Sequence, residues 1–134
     1  SLFKEAETGQ LWFSASVVNV PNGASNNQYV ALGSDGWLAL DVVIAQAGVY
    51  RVHFVMKPTN SLWDEVRLYD PSTGAWQDVG PLNLPFYQSG WDWRTETNGD
   101  ADITFTTTGS NIVWLAAKAG HSGFMLDAIW LEKL

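Results

Sequence analysis

Apolar and polar residues alternate along most of this chain with a period of two. The alternation is clearest from Trp37 onward, where every second residue is aliphatic: Leu38, Leu40, Val42 and Ile44. Similar patterns cover residues 49–56 and 101–107, and the segments 111–117 and 126–131 are apolar on both faces. Alternation rich in Val, Ile, Thr and aromatic residues predicts half-buried β-strands, and continuous apolar runs predict more fully buried ones.

Turn-forming residues interrupt the alternation at short intervals. They lie at 21–23, 33–36, 47–48, 70–74, 98–100 and 109–110. No stretch of a dozen residues has a helical stripe with caps. We therefore predict an all-β protein of about eight to eleven short strands, an antiparallel β-sandwich of jelly-roll type. Residues 57–64 and 80–90 are rich in Pro, Asn and Gly, and we predict that they are loops, where binding sites tend to lie.

Composition and charge narrow the possible partners. The chain has 134 residues, a length suited to one domain, and we assign residues 1–134 to a single domain. Its formal net charge of −7 disfavours nucleic acid and anionic membranes as partners. It has no cysteine, so disulfides and thiolate zinc sites are excluded. The start at Ser1, without a signal-peptide pattern, is expected for a mature form or an excised module.

Signals for catalysis are weak. Residues 120–123, Gly-His-Ser-Gly, lack the spacing of a nucleophile elbow, and two histidines offer little for a catalytic zinc. Asp64 with Glu65, or Asp92 with Glu96, could form the carboxylate pair of a glycoside hydrolase. Acidic residues are common here, so such pairs arise by chance, and we rank catalysis below binding.

Three carboxylates suggest a metal site. Glu5 and Glu7 are two residues apart, and side chains with that spacing share one face of a strand. Asp127 interrupts an apolar final segment, which predicts a buried carboxylate that needs a partner. If the first and last strands pair, all three could bind one Ca²⁺. A solvated glutamate pair and a hydrogen-bonded aspartate explain the spacing equally well.

The eight tryptophans exceed what a core of this size requires. We assign to the core those aromatic residues that lie within apolar strand patterns: Trp37, Tyr50, Phe54, Phe105, Trp114 and Trp130. A second group lies in or beside predicted loops: Tyr29, Trp63, Tyr87 and Trp91. Exposed aromatic rings usually meet a ligand, and the flat face of a sugar ring can cover them while polar neighbours such as Asp92 bond its hydroxyls.

Short motifs in this order resemble the carbohydrate-binding modules of family 6 and the related families 35 and 36. The resemblance covers essentially the whole chain and rests on residues 5–7, 27–30, 33–37, 47–52, 90–93 and 126–129. It implies a jelly roll with a structural Ca²⁺ bound by Glu5, Glu7 and Asp127, completed by a main-chain oxygen within 24–26. It also implies that Tyr29 and Trp91 enclose a sugar ring.

One position departs from the family pattern. Met125 stands two residues before Asp127, where the family usually has an asparagine that bonds the sugar. His121 or Ser122 could replace it, or the loop site could be altered or idle. Some relatives carry a second site on the concave face of the sandwich, and nothing in the sequence excludes one here.

The sequence therefore favours a non-catalytic, calcium-stabilised carbohydrate-binding module. The predicted sugar site comprises Tyr29, Trp63, Tyr87, Trp91, Asp92 and His121. We expect a monomeric module of a secreted bacterial enzyme that degrades polysaccharides, with a neutral glycan such as xylan, β-glucan or agarose as ligand. The alternatives are a small glycoside hydrolase or lyase using Asp92 and Glu96, and a sandwich that binds another protein.

Overall fold

The computed structural model describes residues 2–19, 24–57, 63–83, 92–95, 101–117 and 124–134, with the backbone alone at 57, 63–65, 80–83, 92–95 and 124. These residues form β-strands and two short 3-10 turns, Ala6–Thr8 and Ser25–Asn27. The strands are β1 (Phe3–Glu5), β2 (Gln10–Trp12), β3 (Ala15–Asn19), β4 (Gln28–Leu32), β5 (Trp37–Ile44), β6 (Gly48–Lys57), β7 (Trp63–Asp70), β8 (Ala75–Asn83), β9 (Asp92–Thr95), β10 (Asp102–Phe105), β11 (Gly109–Ala117) and β12 (Phe124–Lys133).

The strands form two antiparallel sheets. The seven-stranded sheet runs β10-β6-β12-β4-β3, with β9 also paired to β6 and β1 also paired to β12. The five-stranded sheet runs β2-β5-β11-β7-β8. Neighbours in each sheet are mostly distant in sequence, as in a jelly roll, so the predicted antiparallel β-sandwich is confirmed.

One hydrophobic core fills the space between the sheets. Alternation along β5 sends Leu38, Leu40, Val42 and Ile44 inward, and β6 contributes Tyr50, Val52, Phe54 and Met56. Burial of each large apolar side chain stabilises the fold by about 1.5–3 kcal/mol. The core leaves the outer face of each sheet free for other contacts.

Two details differ from the sequence-based expectation, the number of strands and the extent of two predicted loops. The described residues contain twelve strands, more than the predicted number. Residues 63–64 belong to β7 and 80–83 to β8, so these parts of the two predicted loops are strands; residues 58–62 and 84–90 lie outside the described part of the chain. The described part of the chain holds no helix with the length and hydropathy needed to cross a bilayer.

Candidate functional site

Three carboxylates converge where the first and last strands meet. β1 pairs with β12, with Glu5 opposite Ala128, which confirms the predicted pairing of the chain ends. Three carboxylate oxygens, one each from Glu5, Glu7 and Asp127, lie within 4.8 Å of one another. Since Ca²⁺ binds oxygens at about 2.3–2.6 Å, oxygens this close together can share one cation.

The backbone builds this carboxylate cluster differently from the prediction. Glu5 ends β1, and Glu7 lies in the following 3-10 turn, so the two glutamates do not share a strand face as expected. Asp127 lies at a β-bulge where the β12–β6 register shifts between Leu126 and Ala128. Because the bulge inserts one residue, Leu126 and Ile129 both reach the core, while Asp127 stands at the irregular position.

Ser25 joins the cluster from the second 3-10 turn. Its backbone N–H donates to Asp127 Oδ2 at 2.9 Å. Its Oγ lies 2.7 Å from both Glu5 oxygens and 2.9 Å from Asp127 Oδ1. A hydroxyl has a single hydrogen, so these short contacts cannot all be hydrogen bonds donated by Ser25. The remaining oxygen pairs need a proton or a cation between them.

The electrostatics of the cluster agree with that need. Burial raises the pKa of the Glu5 carboxyl, and the charges of Glu7 and Asp127 raise this pKa further, against the lowering effect of the Ser25 hydrogen bond. Asp127 is only 4% exposed. Glu7 Oε1 is buried, without a hydrogen-bond partner among the described residues. Orphaned carboxylate oxygens are costly, and a bound cation would satisfy them.

A second feature is an aromatic groove on the outer face of the five-stranded sheet. Its rings come from Phe13, Trp37, Tyr69, Trp76 and Trp114. The Trp37 and Trp76 ring centroids lie 5.3 Å apart, although their strands are separated by β11 and β7. Two adjoining cavities, with volumes of about 510 Å³ and 290 Å³, are both lined by these two rings. The larger one is of the size that holds small-molecule ligands.

Strand register explains why the groove forms. Trp37 pairs with Ala116, which in turn pairs with Arg67, and Arg67 pairs with Asp78. The small Ala116 thus lies between two large side chains and leaves a depression between them. Successive side chains of a strand point to opposite faces, so the inward aliphatic residues and the outward aromatic residues are specified together.

The aromatic rings lie at steep angles to one another. Trp37 lies edge-on to Trp114, with an interplanar angle of 84°, and is tilted by 53° from Trp76. Trp12 stacks on Trp114 from the side of β2, with a centroid distance of 5.3 Å. The rings therefore form the walls of a groove and do not form one flat platform.

Phe13 lines the groove and has a strained backbone conformation. It has a φ of 59°, in the left-handed region that bulky residues avoid, and the residue is 75% exposed. It meets the Trp37 ring edge-on at 5.8 Å. An exposed aromatic ring held in a costly conformation points to a functional role.

Polar groups lie along the same groove. Ser34 and Asp35, in the turn before β5, line it together with Arg67 on β7. Arg67 Nε donates to Asp78 Oδ1 at 3.0 Å. Rings that cover a sugar face and polar groups that bond its hydroxyls are the two components of a carbohydrate site.

No protein-family model matches the chain, and no curated protein matches it in sequence. Solved structures do match its fold. A family 35 carbohydrate-binding module from Clostridium thermocellum superposes with a TM-score of 0.73 at 22% identity, over 96% of both chains. The chain has the fold of a carbohydrate-binding module. This match does not distinguish family 6, which the sequence motifs resemble, from its relatives.

Larger enzymes contain the same fold as one part. Exo-β-1,3-galactanase from Phanerochaete chrysosporium, solved with galactose, matches with a TM-score of 0.74 at 17% identity. The match covers 97% of this chain and 29% of the galactanase, so this chain spans less than a third of that protein. A Podospora anserina β-(1,4)-mannanase with a family 35 module matches over 96% of this chain and 26% of its own, with a TM-score of 0.69 at 16% identity.

The predicted loop site lies largely outside the described residues. Tyr87, Trp91 and His121 are not described, and Trp63 and Asp92 are described by their backbone alone, as the first residues of β7 and β9. Tyr29 is half-buried on β4, beside the turn that carries Ser25. The loop site therefore stays a prediction, except that Trp63 lies in a strand and not in a loop.

The predicted core aromatics divide into two groups. Tyr50, Phe54 and Phe105 are buried as expected. Trp37 is 37% exposed and Trp114 is half-buried, so assigning them to the core was wrong: both project from the outer face. Trp130 is also half-buried and stacks on His53 at 4.0 Å on the other sheet. The alternation along β5 was the signal that Trp37 points outward.

Proposed function

We propose that this chain is a non-catalytic carbohydrate-binding module and that the aromatic groove is its sugar-binding surface. The observation that carries the proposal is the set of partly exposed rings around Trp37 and Trp76 on the outer face of a sheet, with polar groups beside them. Soluble proteins rarely expose such a patch without a ligand. The fold shared with family 35 modules supports the same conclusion.

The groove favours binding over hydrolysis. Within the described residues, Asp35 is the single carboxylate that lines it. Most glycoside hydrolases place two carboxyl groups on either side of the scissile bond. The rings, by contrast, supply the contact surface that a binding site needs. We therefore rank a binding module above a small hydrolase.

We further propose that the module is a monomer attached to a secreted bacterial enzyme that degrades polysaccharides. Similar folds form about a quarter to a third of the galactanase and mannanase chains. Tethering a binding module to a catalytic domain raises the effective concentration of substrate at the active site.

We propose Ca²⁺ as the ion of the carboxylate cluster. Hard oxygen ligands, three of them carboxylates, suit calcium. Glu5, Glu7 and Asp127 would bind it, and the buried, unpartnered Glu7 Oε1 supports a cation there. The ion would join the two ends of the chain and has no role in chemistry.

Affinity electrophoresis tests the function. Wild type should be retarded by at least one gel among xylan, hydroxyethyl cellulose, β-1,3-glucan and agarose. Trp37→Ala should lose affinity at least tenfold, about 1.4 kcal/mol. Trp130→Ala removes the same side chain from the other sheet and serves as the matched control, with unchanged retardation. Equal retardation of Trp37→Ala and wild type would place the site elsewhere.

A further inference from the structure

Two charged residues of the groove are incompletely paired. Arg67 bonds Asp78 through Nε, and within the described part of the chain its Nη groups have no other partner. Asp35 is exposed and makes no hydrogen bond or ion pair with any described residue. Both line the larger cavity together with Trp37 and Trp76. As far as the described residues go, the groove therefore presents unpaired donors and unpaired acceptors to the same ligand.

We propose that Arg67 and Asp35 determine specificity and select a neutral glycan over an anionic one; this inference rests on the proposed function. A sugar hydroxyl both donates and accepts, so a neutral pyranose can accept from the Arg67 Nη groups and donate to Asp35. A uronate or sulfated sugar offers oxygens that Arg67 would bond. Asp35 would repel its negative charge, however, and this repulsion is stronger when the two charges are removed from water.

The charge of the whole chain argues against the other occupants of the groove. With a net charge of −7, two copies that bring these faces together repel each other. The Asp35 carboxylate would also lose its hydration in a protein interface unless the partner supplied a matching donor. A chain of hydroxyl groups supplies such donors along its whole length.

Matched pairs of polysaccharides test the inference. Hydroxyethyl cellulose, xylan and β-1,3-glucan are each compared with a carboxymethylated derivative of the same backbone by affinity electrophoresis, with calorimetric titration as a check. Wild type should bind the neutral member at least tenfold more tightly. Asp35→Asn should reduce that ratio severalfold by raising affinity for the carboxymethylated member. Arg67→Gln should weaken binding of the neutral member at least tenfold.

Asp41→Asn is the matched charge control, because Asp41 is exposed on β5 but does not line the groove. It should leave the ratio unchanged, whereas an effect equal to that of Asp35→Asn would assign selectivity to overall charge and overturn the inference. Tighter binding of the carboxymethylated member by wild type would also overturn it while leaving the proposed function intact. Both proposals would be overturned if wild type bound no polysaccharide. They would also be overturned if wild type formed a dimer that Trp37→Ala abolished.

Discussion

Phe13 combines a strained backbone conformation with an exposed side chain. A left-handed conformation costs a non-glycine residue about 1–2 kcal/mol, and asparagine tolerates it better than most. Phe13 buries little area in return, since the residue stays 75% exposed and meets the Trp37 ring in an edge-to-face contact. Selection for stability alone would not retain a phenylalanine here, so the ring is expected to contact the ligand.

Two substitutions of Phe13 separate backbone strain from ring contact. Both Phe13→Asn and Phe13→Val remove the ring, but valine is β-branched and disfavours positive φ. We expect the asparagine variant to exceed the valine variant in free energy of unfolding by about 1 kcal/mol, measured by urea denaturation. Both should bind polysaccharide more weakly than wild type. Equal stability of the two variants would argue against a left-handed Phe13.

Single residues show where the sequence was informative and where it misled. The alternation Leu38, Leu40, Val42, Ile44 predicted the inner face of β5 correctly and, by the same period, placed Trp37 outside. The preference of tryptophan for cores obscured that conclusion. Asp127 is buried, as predicted. The β-bulge at this position was not predicted, because a strict period of two contains no signal for an inserted residue.

The hairpin of β7 and β8 carries half of the groove, and Asp70 fastens its turn. Asp70 Oδ1 accepts from the Ser72 N–H at 2.9 Å, from its hydroxyl at 2.7 Å and from the Thr104 N–H at 3.3 Å. Thr104 lies on β10 of the other sheet. One buried carboxylate thus closes the turn and joins the two sheets.

Asp70→Ala should lower the free energy of unfolding by about 1–3 kcal/mol, because it removes the shared acceptor of three partly buried hydrogen bonds. Urea denaturation followed by tryptophan fluorescence measures the change. Asp41→Ala removes an exposed aspartate from β5, which belongs to the same sheet but is separated from β7 by β11, and should change stability by less than about 0.5 kcal/mol. A similar loss in both variants would indicate a general charge effect.

The β8 strand shows why element ends were difficult to predict. Residues 80–83, Gly-Pro-Leu-Asn, contain breakers and were predicted to be a loop, yet β8 extends to Asn83. β8 is the edge strand of its sheet, and the β7–β8 register is irregular between Asp64 and Val66. Proline is tolerated at edges and bulges, where its missing N–H breaks no ladder bond. Edge position depends on strand order, which local sequence does not contain.

At the scale of the whole molecule, the carboxylate cluster ties together segments that are far apart in sequence. Asp127 contacts Ser25 across 102 residues and lies beside Glu5 and Glu7 near the other chain end. The sequence placed these three carboxylates together through the expected pairing of first and last strands. The family resemblance assigned a main-chain oxygen within 24–26 to the site, but nothing in the sequence indicated that the Ser25 hydroxyl lies between the carboxylates. A 3-10 turn with a left-handed Asn26 leaves no periodic signal.

Calcium should therefore raise the melting temperature of the whole domain. In addition, the Glu7→Gln variant should shift the melting temperature in opposite directions with and without Ca²⁺. Protein unfolded in EGTA and refolded without metal should melt several degrees below protein refolded with Ca²⁺, since an ion at a hundredfold excess over its Kd adds about 2.7 kcal/mol. Glu7→Gln removes one of three mutually repelling carboxylates. Without metal it should melt above metal-free wild type, and with Ca²⁺ below calcium-loaded wild type. Differential scanning calorimetry of both proteins, with and without Ca²⁺, measures these melting temperatures. A wild-type melting temperature that does not change with Ca²⁺ would contradict the prediction, because it would show that no bound cation offsets the repulsion among the carboxylates.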